Sequence, residues 1–451
     1  MSNDIKIKNG LNIKLKGAAE NILKKAALPE SVSLNPSDFH LIVPKMALKV
    51  GEKVSQGSVV FFSKKDERIK FCSPVDGTIR DIVRGAKRKI IEIIIDVEKN
   101  QNLISPNPQV FADLNTDQIK TILLESGCWP FVKQRPYDVI ANPSDNPKSI
   151  FISGFNSAPI SADLQIILDD QKEEFKEGIN VLSKLTSGEI NICVNDTSST
   201  FISEIENVKI HKINGPHPSG NVGVQIHHID PVNSGDRVWT LGAEDVAIIG
   251  RYFMTGIYNP IRTIAVSGPP VKYPKYYKTI VGTQLNKIID DTGIDINDSL
   301  RIINGDVLSG RKVEHDNYLG FYNNTLSVLR EGNRYRMFGW IPFVNNKVPS
   351  MYKTSFSWLF PNKEYDLDTN LNGEERAFVV TGEMEKVFPM DILPMQLLKE
   401  CMAGNIEKME SLGIYEVAPE DFSLIDYSSS SKIEAQYIIR QGLDLMISEV
   451  G

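Results

Sequence analysis

The sequence predicts a multidomain α/β protein. Residues 1–100 contain short runs typical of β-strands, residues 112–196 alternate strands with helices, and the stretch from about residue 391 is helical. A chain of 451 residues has room for two to four domains with substantial cores. Its content of 24% charged and 41% hydrophobic residues is that of an ordinary soluble protein.

The first hundred residues predict a β-rich domain. Residues 5–16, IKIKNGLNIKLK, alternate apolar and basic side chains around Asn9-Gly10, which favours a hairpin. Residues 48–83 resemble the two halves of a biotinyl- or lipoyl-type barrel-sandwich, and KIIEIIIDV at 89–97 is a strong strand. A carrier presents its lysine between particular neighbours, which Lys64 and Lys65 lack. We expect a scaffold barrel, and covalent modification is the disfavoured alternative.

Charge is distributed unevenly along the chain. The first hundred residues hold 19 Lys/Arg and 12 Asp/Glu, a net charge of +7, whereas the rest carries −14. This asymmetry suits docking to an acidic partner or an anionic membrane surface, and a solvated basic face remains the alternative. The overall net charge of −7 argues against a general nucleic-acid binder.

No apolar run approaches the roughly 18 residues that a membrane span needs. The start, MSNDIKIKNG, lacks the apolar core of a secretory signal. We therefore expect a cytoplasmic location, which leaves attachment to a membrane protein open.

The central part predicts a parallel βαβ arrangement. DLNTDQIKTILLESG reads as a helix capped by Asn115 or Thr116 and ended by Gly127. KSIFISGFN (148–156) and EINICVND (189–196) read as strands, joined by one long helix over 162–188. A right-handed crossover makes such strands parallel, with ligands expected at their C-terminal ends.

The remaining segments predict a smaller β-containing unit and a helical end. IRTIAVSG and LRIINGDVLSG read as strands on either side of a helix, TQLNKIIDDTG, which suggests a β-grasp-like unit. VKYPKYYK (271–278) reads as a solvated loop, with a membrane-interface or docking loop as the alternative. The predicted divisions are 1–100, 101–258, 259–330, a connecting segment 331–376, and 377–451.

The cysteines argue against metal and redox chemistry in this chain. Cys72, Cys128, Cys193 and Cys401 form no CxxC pair, so we expect buried or incidental thiols. Ferredoxin clusters use C-x2-C-x2-C-x3-C-P. Two places in the C-terminal part fit that frame without thiolates and so predict no cluster: Phe378, Thr381, Met384 and Phe388 with Pro389, and Val417, Glu420, Ser423 and Tyr427.

Three segments carry a resemblance that spans the whole chain. They are IKIKNGLNIKLKGAAE, the block NGPHPSGNVGVQIHHIDPVNSGDRVWTLGAEDVAIIGRYFMTG, and VFPMDILPMQLLKECMAGNIEKMESLGI. The sequence resembles the NqrA family, which supplies one subunit of the sodium-translocating NADH:quinone reductase. That family is similar to the C subunit of the Rnf complex, which keeps both sets of cluster cysteines, and to the NADH-binding flavoprotein subunit of complex I.

The resemblance implies an architecture and a function. In order, the domains would be a barrel-sandwich, a Rossmann-like α/β domain, a β-grasp domain, and a helical domain like a ferredoxin domain without clusters. The chain would be a peripheral subunit on the cytoplasmic face of the bacterial inner membrane, attached to membrane and peripheral subunits. The complex oxidises NADH, reduces quinone and exports sodium. This chain would carry no redox centre, with NADH, flavins and iron–sulfur centres on other subunits.

The block at 211–231 supplies the site candidates. Its glycines match neither GxxxxGK[ST] nor GxGxxG, and VGVQIHHI resembles a strand that would point His227 and His228 to opposite faces. This placement disfavours a metal site. The alternatives are a structural loop, or contact with quinone or a partner subunit, and the residues for that contact are Gly215, His217, Gly220, Gly223 and His227.

No acid–base or nucleophile constellation stands out. We expect Asp236, Glu244 and Asp245 to be helix caps or surface charges. Three alternatives to the leading hypothesis remain: an Rnf-type C subunit, disfavoured because the cysteines are missing; a cofactor-free assembly or docking scaffold; and a biotin or lipoyl carrier.

Overall fold

The structure is a computed structural model. It describes residues 4–101, 107–108, 113–196, 200–295, 298–332, 348–349, 357–379 and 381–451. Much of the predicted connecting segment, 331–376, lies outside the described residues.

The N-terminal part is built of nine short strands. They are β1 (Asp4–Lys6), β2 (Leu23–Lys25), β3 (Ser31–Leu34), β4 (Pro44–Met46), β5 (Lys53–Val54), β6 (Val59–Ser63), β7 (Lys70–Cys72), β8 (Gly77–Arg84) and β9 (Ile90–Val97). Seven of these strands form two antiparallel sheets, ordered β3-β9-β8-β5 and β4-β6-β7. The β-rich character predicted for this part is confirmed.

The predicted hairpin at 5–16 is wrong. Strand β1 pairs in parallel with residues 212–214, and Leu15 forms a parallel bridge to Tyr365, so both halves of the segment pair elsewhere in the chain. Gly10 donates its N–H to the carbonyl of Lys386, 2.9 Å away. The backbone partners of this segment are therefore long-range, which overrides the local alternation and the Asn-Gly signal.

The central part holds a seven-stranded sheet with order β1-β14-β13-β12-β15-β10-β11. Strands β1, β14, β13, β12 and β15 run parallel to one another. Strand β10 pairs antiparallel with β15 on one side and with β11 on the other. The elements are α1 (Thr116–Ser126), β10 (Lys133–Arg135), β11 (Val139–Ile140), β12 (Ser149–Ser153), α2 (Leu164–Leu168), α3 (Lys172–Leu182), β13 (Glu189–Val194), β14 (Lys209–Asn214), α4 (Val222–Ile229), β15 (Val238–Gly242) and α5 (Ala243–Thr255).

Two of the predicted helices in this region have different outcomes. Helix α1 begins after Asn115, whose side chain accepts from the Gln118 N–H, and ends at Gly127, as predicted. The single helix predicted over 162–188 is wrong, because the chain breaks between α2 and α3. The buried side chain of Gln171 donates to the Ile167 carbonyl and to Glu244, so a tertiary network interrupts the helix.

The third part contains a six-stranded sheet with order β19-β18-β20-β16-β17-β2. Its elements are β16 (Ile261–Ser267), β17 (Lys275–Ile280), α6 (Asn286–Asp290), β18 (Leu300–Asn304), β19 (Arg311–Val313) and β20 (Thr325–Arg330). The solvated loop predicted at 271–278 is wrong in its second half, which lies in β17. There Tyr276 and Tyr277 are buried, because neighbouring residues of a strand point to opposite faces of the sheet and each face packs in a different apolar core.

The C-terminal part is helical, as predicted. Its helices are α7 (Pro394–Ala403), α8 (Ile406–Ser411), α9 (Ser423–Ser428) and α10 (Ala435–Glu449). Three positions of the cluster-like frames, Met384, Phe388 and Val417, belong to its apolar core. That core also contains Ile213 and Val224 of the central part, so the helical end packs against the seven-stranded sheet region. Within the described residues, no helix has the length and apolar character needed to cross a bilayer.

Candidate functional site

A cavity of about 510 Å³ lies at the C-terminal ends of β12 and β15. Ser153 and Gly242, the last residues of these two strands, both line it. This is the edge of a parallel sheet at which α/β folds place their ligands. The wall combines apolar side chains, including Phe155, Leu164 and Leu241, with polar and charged groups.

His217 is held on this wall by a hydrogen bond to Ser157. Its ring Nδ1 lies 2.9 Å from Ser157 Oγ, which accepts the Gly220 N–H at 2.8 Å. Ser157 Oγ and His217 Nδ1 therefore share a hydrogen bond in which either group can be the donor. His217 is 3% exposed, and burial lowers its pKa to about 4 despite the nearby Asp306. The ring is neutral at physiological pH, and its Nε2 atom has no hydrogen-bond partner.

Basic residues of β10 form a second side of the cavity. Lys133 pairs with Asp138 at 2.7 Å, and Arg135 Nη2 donates to Glu420 Oε1 at 2.7 Å. The Arg135 side chain is 1% exposed, and its Nε and Nη1 atoms have no hydrogen-bond partner. Burial opposes the charge on Arg135, but Asp138 and Glu420 outweigh that effect and raise its pKa.

Asp421 lies behind this wall, against the N-terminal turn of α4. It is 1% exposed, its Oδ2 accepts the Ala418 N–H at 2.9 Å, and Oδ1 has no partner. Arg135 Nη1 is 3.9 Å from Oδ2. Burial raises the pKa of Asp421 to about 7.

The raised pKa of Asp421 predicts a pH-dependent stability. The folded protein holds a proton that the unfolded chain releases near its ordinary pKa, so the contribution of Asp421 to stability falls as pH rises from about 4 to about 7. We expect Asp421→Asn, which cannot ionise, to gain stability relative to the parent between about pH 5 and pH 7 and to show no further gain above about pH 8. Thermal melts of both proteins across this range measure the difference.

The control for this prediction is Asp391→Asn, which removes an exposed carboxylate. A stability difference between Asp421→Asn and the parent that stays constant with pH would contradict the prediction.

Two acids expected on the surface lie in the interior. Glu244 and Asp245, at the start of α5, are 2% and 4% exposed and pair with Arg262 of β16. Asp245 also accepts the Gly242 N–H at 3.2 Å, so the predicted capping role holds while the surface placement is wrong. Both carboxylates lie in the interior beside the guanidinium of Arg262, because a buried charge is stable only when oppositely charged groups pair with it. Asp236 pairs with Lys148 and is partly exposed, as expected.

The structure brings only some of the predicted site residues together. His217 and Gly220 line the cavity. Gly215 lies against Ile7 of the N-terminal segment, and a Cβ there would sit 2.5 Å from the Ile7 carbonyl oxygen. Gly223 lies against Asp421, and a Cβ there would sit 2.5 Å from Oδ2.

His227 lies outside the cavity wall and connects α4 to the helical end. Its Nε2 accepts the Asp391 N–H at 2.9 Å, and its Nδ1 donates to Glu416 Oε2 at 2.7 Å. The neighbouring His228 donates to the Pro389 carbonyl. Both rings therefore hold the C-terminal part against the sheet region.

The strand predicted for VGVQIHHI is wrong, because residues 222–229 form helix α4. Val222, Ile226 and Ile229 stand at helical spacing, and Asn221 occupies the N-cap position. In the sequence, β-branched residues alternate with glycine and glutamine at residues 222–226, and this two-residue alternation, typical of a strand, hid the helical spacing. Among the described residues, no group of three or more His, Cys, Asp or Glu side chains could hold a metal ion. The four cysteines are free and buried, as predicted.

Three family models match successive parts of the chain. The NqrA N-terminal barrel-sandwich hybrid domain matches residues 5–98, the NqrA second alpha/beta domain matches 114–258, and the NQRA C-terminal domain matches 263–315. The first of these matches confirms the barrel-sandwich predicted for the N-terminal part.

Curated relatives match over nearly the full length. The NqrA subunit of the Na(+)-translocating NADH-quinone reductase of Hahella chejuensis is 35% identical over 442 residues, covering 97% of this chain and 98% of the relative. The chain belongs to the NqrA family. Another NqrA relative, from Neisseria meningitidis serogroup A, is 33% identical over 449 residues, covering 99% of this chain and 100% of the relative.

Solved structures show a weaker likeness to this NqrA family member. A chain of an NAD+-reducing NiFe-hydrogenase in the air-oxidized state superposes with a TM-score of 0.40 and 10% identity, covering 75% of this chain and 62% of that chain. The H2-reduced form gives a TM-score of 0.37, also at 10% identity, covering 74% and 63%.

The residues that sequence reasoning missed in this NqrA family member are Lys133, Arg135 and Ser157. Ser157 follows the strand predicted at 148–156, so its place at the C-terminal end of a parallel strand was a usable signal. Lys133 and Arg135 lie on an antiparallel strand that no local motif marks.

Proposed function

We propose that this protein is a peripheral subunit of a sodium-pumping NADH:quinone oxidoreductase, and that its cavity binds the quinone ring. The family relatives are named as subunits of a Na(+)-translocating NADH-quinone reductase, which supports the first half of the proposal. The second half rests on the cavity at the ends of β12 and β15. The complex oxidises NADH, reduces quinone and exports sodium, and this chain contributes to quinone binding.

The proposed architecture has five segments. They are the barrel-sandwich at 1–100, a Rossmann-like domain at 101–258, a β-grasp domain at 259–330, a connecting segment at 331–376, and a helical domain at 377–451 that resembles a ferredoxin domain without clusters. The parallel strands of the seven-stranded sheet support the Rossmann-like assignment. The apolar side chains at positions of the two ferredoxin-like frames support the assignment of the helical domain.

In this proposal, the chain carries no flavin or iron–sulfur centre of its own. The four cysteines are free and buried, and none forms a CxxC pair in the sequence. Electrons would pass through centres on other subunits. The proposed location is the cytoplasmic face of the bacterial inner membrane, in contact with the membrane and peripheral subunits of the complex.

The cavity wall is mostly polar and charged, and its apolar part supports the proposal of a quinone ring there. Quinone sites need an apolar slot with one or two donors for the carbonyl oxygens. Phe155, Leu164 and Leu241 supply apolar surface, and His217 supplies a buried ring nitrogen, Nε2, that has no hydrogen-bond partner. This unpartnered nitrogen is the observation that carries the proposal, because a buried polar atom is costly to leave unpaired. Among the predicted site residues, His217 and Gly220 are the proposed contacts, while Gly215, Gly223 and His227 support the surrounding structure.

The test is titration of the full-length protein with a short-chain quinone, followed by calorimetry. We expect saturable binding with one quinone per chain. Ala158→Trp, which places an indole on the cavity wall, should abolish binding while the thermal melt stays close to that of the parent. The matched control is Ala86→Trp at an exposed turn, which should bind normally.

Absence of saturable binding would leave the assembly scaffold as the better account. Equal quinone binding by Ala158→Trp and the parent would place the quinone outside this cavity. The complex assignment has its own test, since isolation of the native complex should yield this chain together with membrane subunits.

A further inference from the structure

A short stretch near residue 360 exposes three large apolar side chains next to one another. Trp358, Leu359 and Phe360 lie on and just after a 3₁₀ helix that spans Ser357–Leu359, and their exposed fractions are 53%, 53% and 62%. Every residue from 358 to 364 is exposed, which indicates that this turn projects from the surface. We call Trp358, Leu359 and Phe360 the apolar turn.

The apolar turn is supported by the N-terminal segment, which places two lysines beside it. Lys14 donates from its ammonium group to the Pro361 carbonyl and accepts the Tyr365 N–H at its own carbonyl. The Lys16 N–H donates to the Tyr365 carbonyl, 3.0 Å away. Leu15 and Tyr365 are buried, whereas both lysine side chains are exposed. The turn therefore stands on a fixed base with positive charge at its side.

Positive charge exceeds negative charge around the apolar turn. Lys363 is exposed on the same turn and adds a third cation to the two of the N-terminal segment. Of the acids that follow it, Glu364 is exposed, and Asp366 Oδ2 lies 3.8 Å from Arg330 Nε. An exposed apolar patch with a basic rim is the chemistry that anionic lipid headgroups recognise.

We propose that the apolar turn inserts into the headgroup region of an anionic lipid bilayer, with the neighbouring lysines bound to lipid phosphates. Aromatic side chains are favoured at the boundary between headgroups and acyl chains, and each lysine near the surface adds attraction to anionic lipids. The described residues that line the quinone cavity include neither the apolar turn nor these lysines, so this site is separate from the proposed quinone site.

The size of the patch favours a bilayer over a protein partner. Two aromatic rings and a leucine exposed to this extent offer on the order of 300 Å² of apolar surface. A stable protein interface needs about 800 Å² on each partner, with matching shape. A bilayer adapts to a small projecting group, so three side chains on a turn are sufficient for insertion when cations stand beside them.

The experiment is co-sedimentation of the full-length protein with vesicles of phosphatidylcholine and phosphatidylglycerol in equal parts, and with vesicles of phosphatidylcholine alone. We expect the parent to bind the mixed vesicles. Combining Trp358→Ser, Leu359→Ser and Phe360→Ser should lower the partition coefficient about tenfold or more, because the apolar surface that enters the bilayer is lost. The thermal melt should stay close to that of the parent, since all three side chains are exposed.

A matched control removes equally exposed apolar side chains elsewhere. Val43, Val50 and Met402 are 58%, 55% and 64% exposed, and replacing all three by serine should leave vesicle binding unchanged. The contribution of charge is tested by Lys14→Gln combined with Lys16→Gln. This pair should weaken binding to the mixed vesicles about tenfold and leave the interaction with phosphatidylcholine vesicles unchanged.

Insertion is distinguished from adsorption by tryptophan fluorescence. Trp358→Phe keeps an aromatic ring at the position and removes its indole emission. The difference in emission between the parent and this variant reports on Trp358 alone, and it should shift to shorter wavelength when mixed vesicles are added. A vesicle-induced shift of equal size in Trp358→Phe would contradict insertion at this turn.

The remaining outcomes separate this proposal from the others. Absence of parent binding to the mixed vesicles would overturn the lipid contact, as would equal binding by the parent and the triple serine variant. If the parent binds no vesicles and the triple serine variant no longer co-isolates with membrane subunits, the turn contacts a protein and the lipid contact is likewise overturned. Each of these results leaves the quinone site standing, because quinone titration tests that site separately.

Discussion

Arg262→Met should lower the free energy of unfolding by about 3–5 kcal/mol, because it leaves two buried carboxylates without their cation. Arg262 is 2% exposed, and its Nη2 lies 2.7 Å from Asp245 Oδ1 and 2.8 Å from the Phe321 carbonyl. Its Nη1 lies 3.4 Å from Glu244 Oε2. The ion cluster joins helix α5 to the six-stranded sheet, so its loss weakens the contact between two parts of the molecule. Guanidinium unfolding followed by tryptophan fluorescence measures the change.

The decisive comparison for Arg262 is a triple variant. Arg262→Met combined with Glu244→Gln and Asp245→Asn removes all three charges and retains hydrogen-bonding amides at both acids. Since no buried charge is left unpaired, the triple variant should be more stable than Arg262→Met alone. The control Lys287→Ala breaks a solvent-exposed pair with Glu30 and should destabilise the protein far less than Arg262→Met does. A triple variant that is less stable than the single variant would refute this explanation.

Gly250→Val should destabilise the protein by about 3 kcal/mol or more, because it forces two helices apart. A Cβ on Gly250 of α5 would lie 1.8 Å from the Glu174 carbonyl oxygen of α3. A Cβ on Gly178 of α3 would lie 2.1 Å from the Val246 carbonyl oxygen of α5. Both glycines therefore allow the backbones of α3 and α5 to approach closely. Urea unfolding measures the cost.

The smaller Gly250→Ala variant tests which effect dominates. Alanine improves helix propensity by about 1 kcal/mol, but its Cβ meets backbone that cannot move without separating the helices. We expect the clash of the Cβ with the α3 backbone to outweigh the gain in helix propensity, so that Gly250→Ala is less stable than the parent. Gly85→Ala is the control, since the nearest atom to its Cβ would be 3.5 Å away. A stabilised Gly250→Ala would show that the helices can separate at little cost.

The elements predictable from sequence are those with strong local signals. Helix α1 was predictable with its cap and its terminal glycine, and β12 and β13 from their apolar runs. The elements missed depend on partners distant in the chain. Strand β1 finds its partner in β14, about two hundred residues away, so its alternating pattern could not reveal a parallel pairing.

The candidate site was predictable only in part for the same reason. The unusual composition around His217 drew attention to one wall, and His217 and Gly220 do line the cavity. Ser157, Arg135 and Lys133 come from other segments and meet His217 only when the sheet forms. His227 shares the block but projects from α4 toward Glu416, because a helix directs neighbouring side chains differently from a strand.

The route of residues 4–25 has a consequence for how this protein can be taken apart. This short stretch supplies an edge strand to the seven-stranded sheet through β1 and to the six-stranded sheet through β2, before the barrel begins. A fragment cut at the predicted domain borders would lack β1 or β2, so that β14 or β17 would become an exposed edge strand. Its unpaired backbone N–H and C=O groups could then pair with another chain. Such fragments should aggregate when produced alone, whereas adding back a peptide of residues 4–25 should restore their solubility.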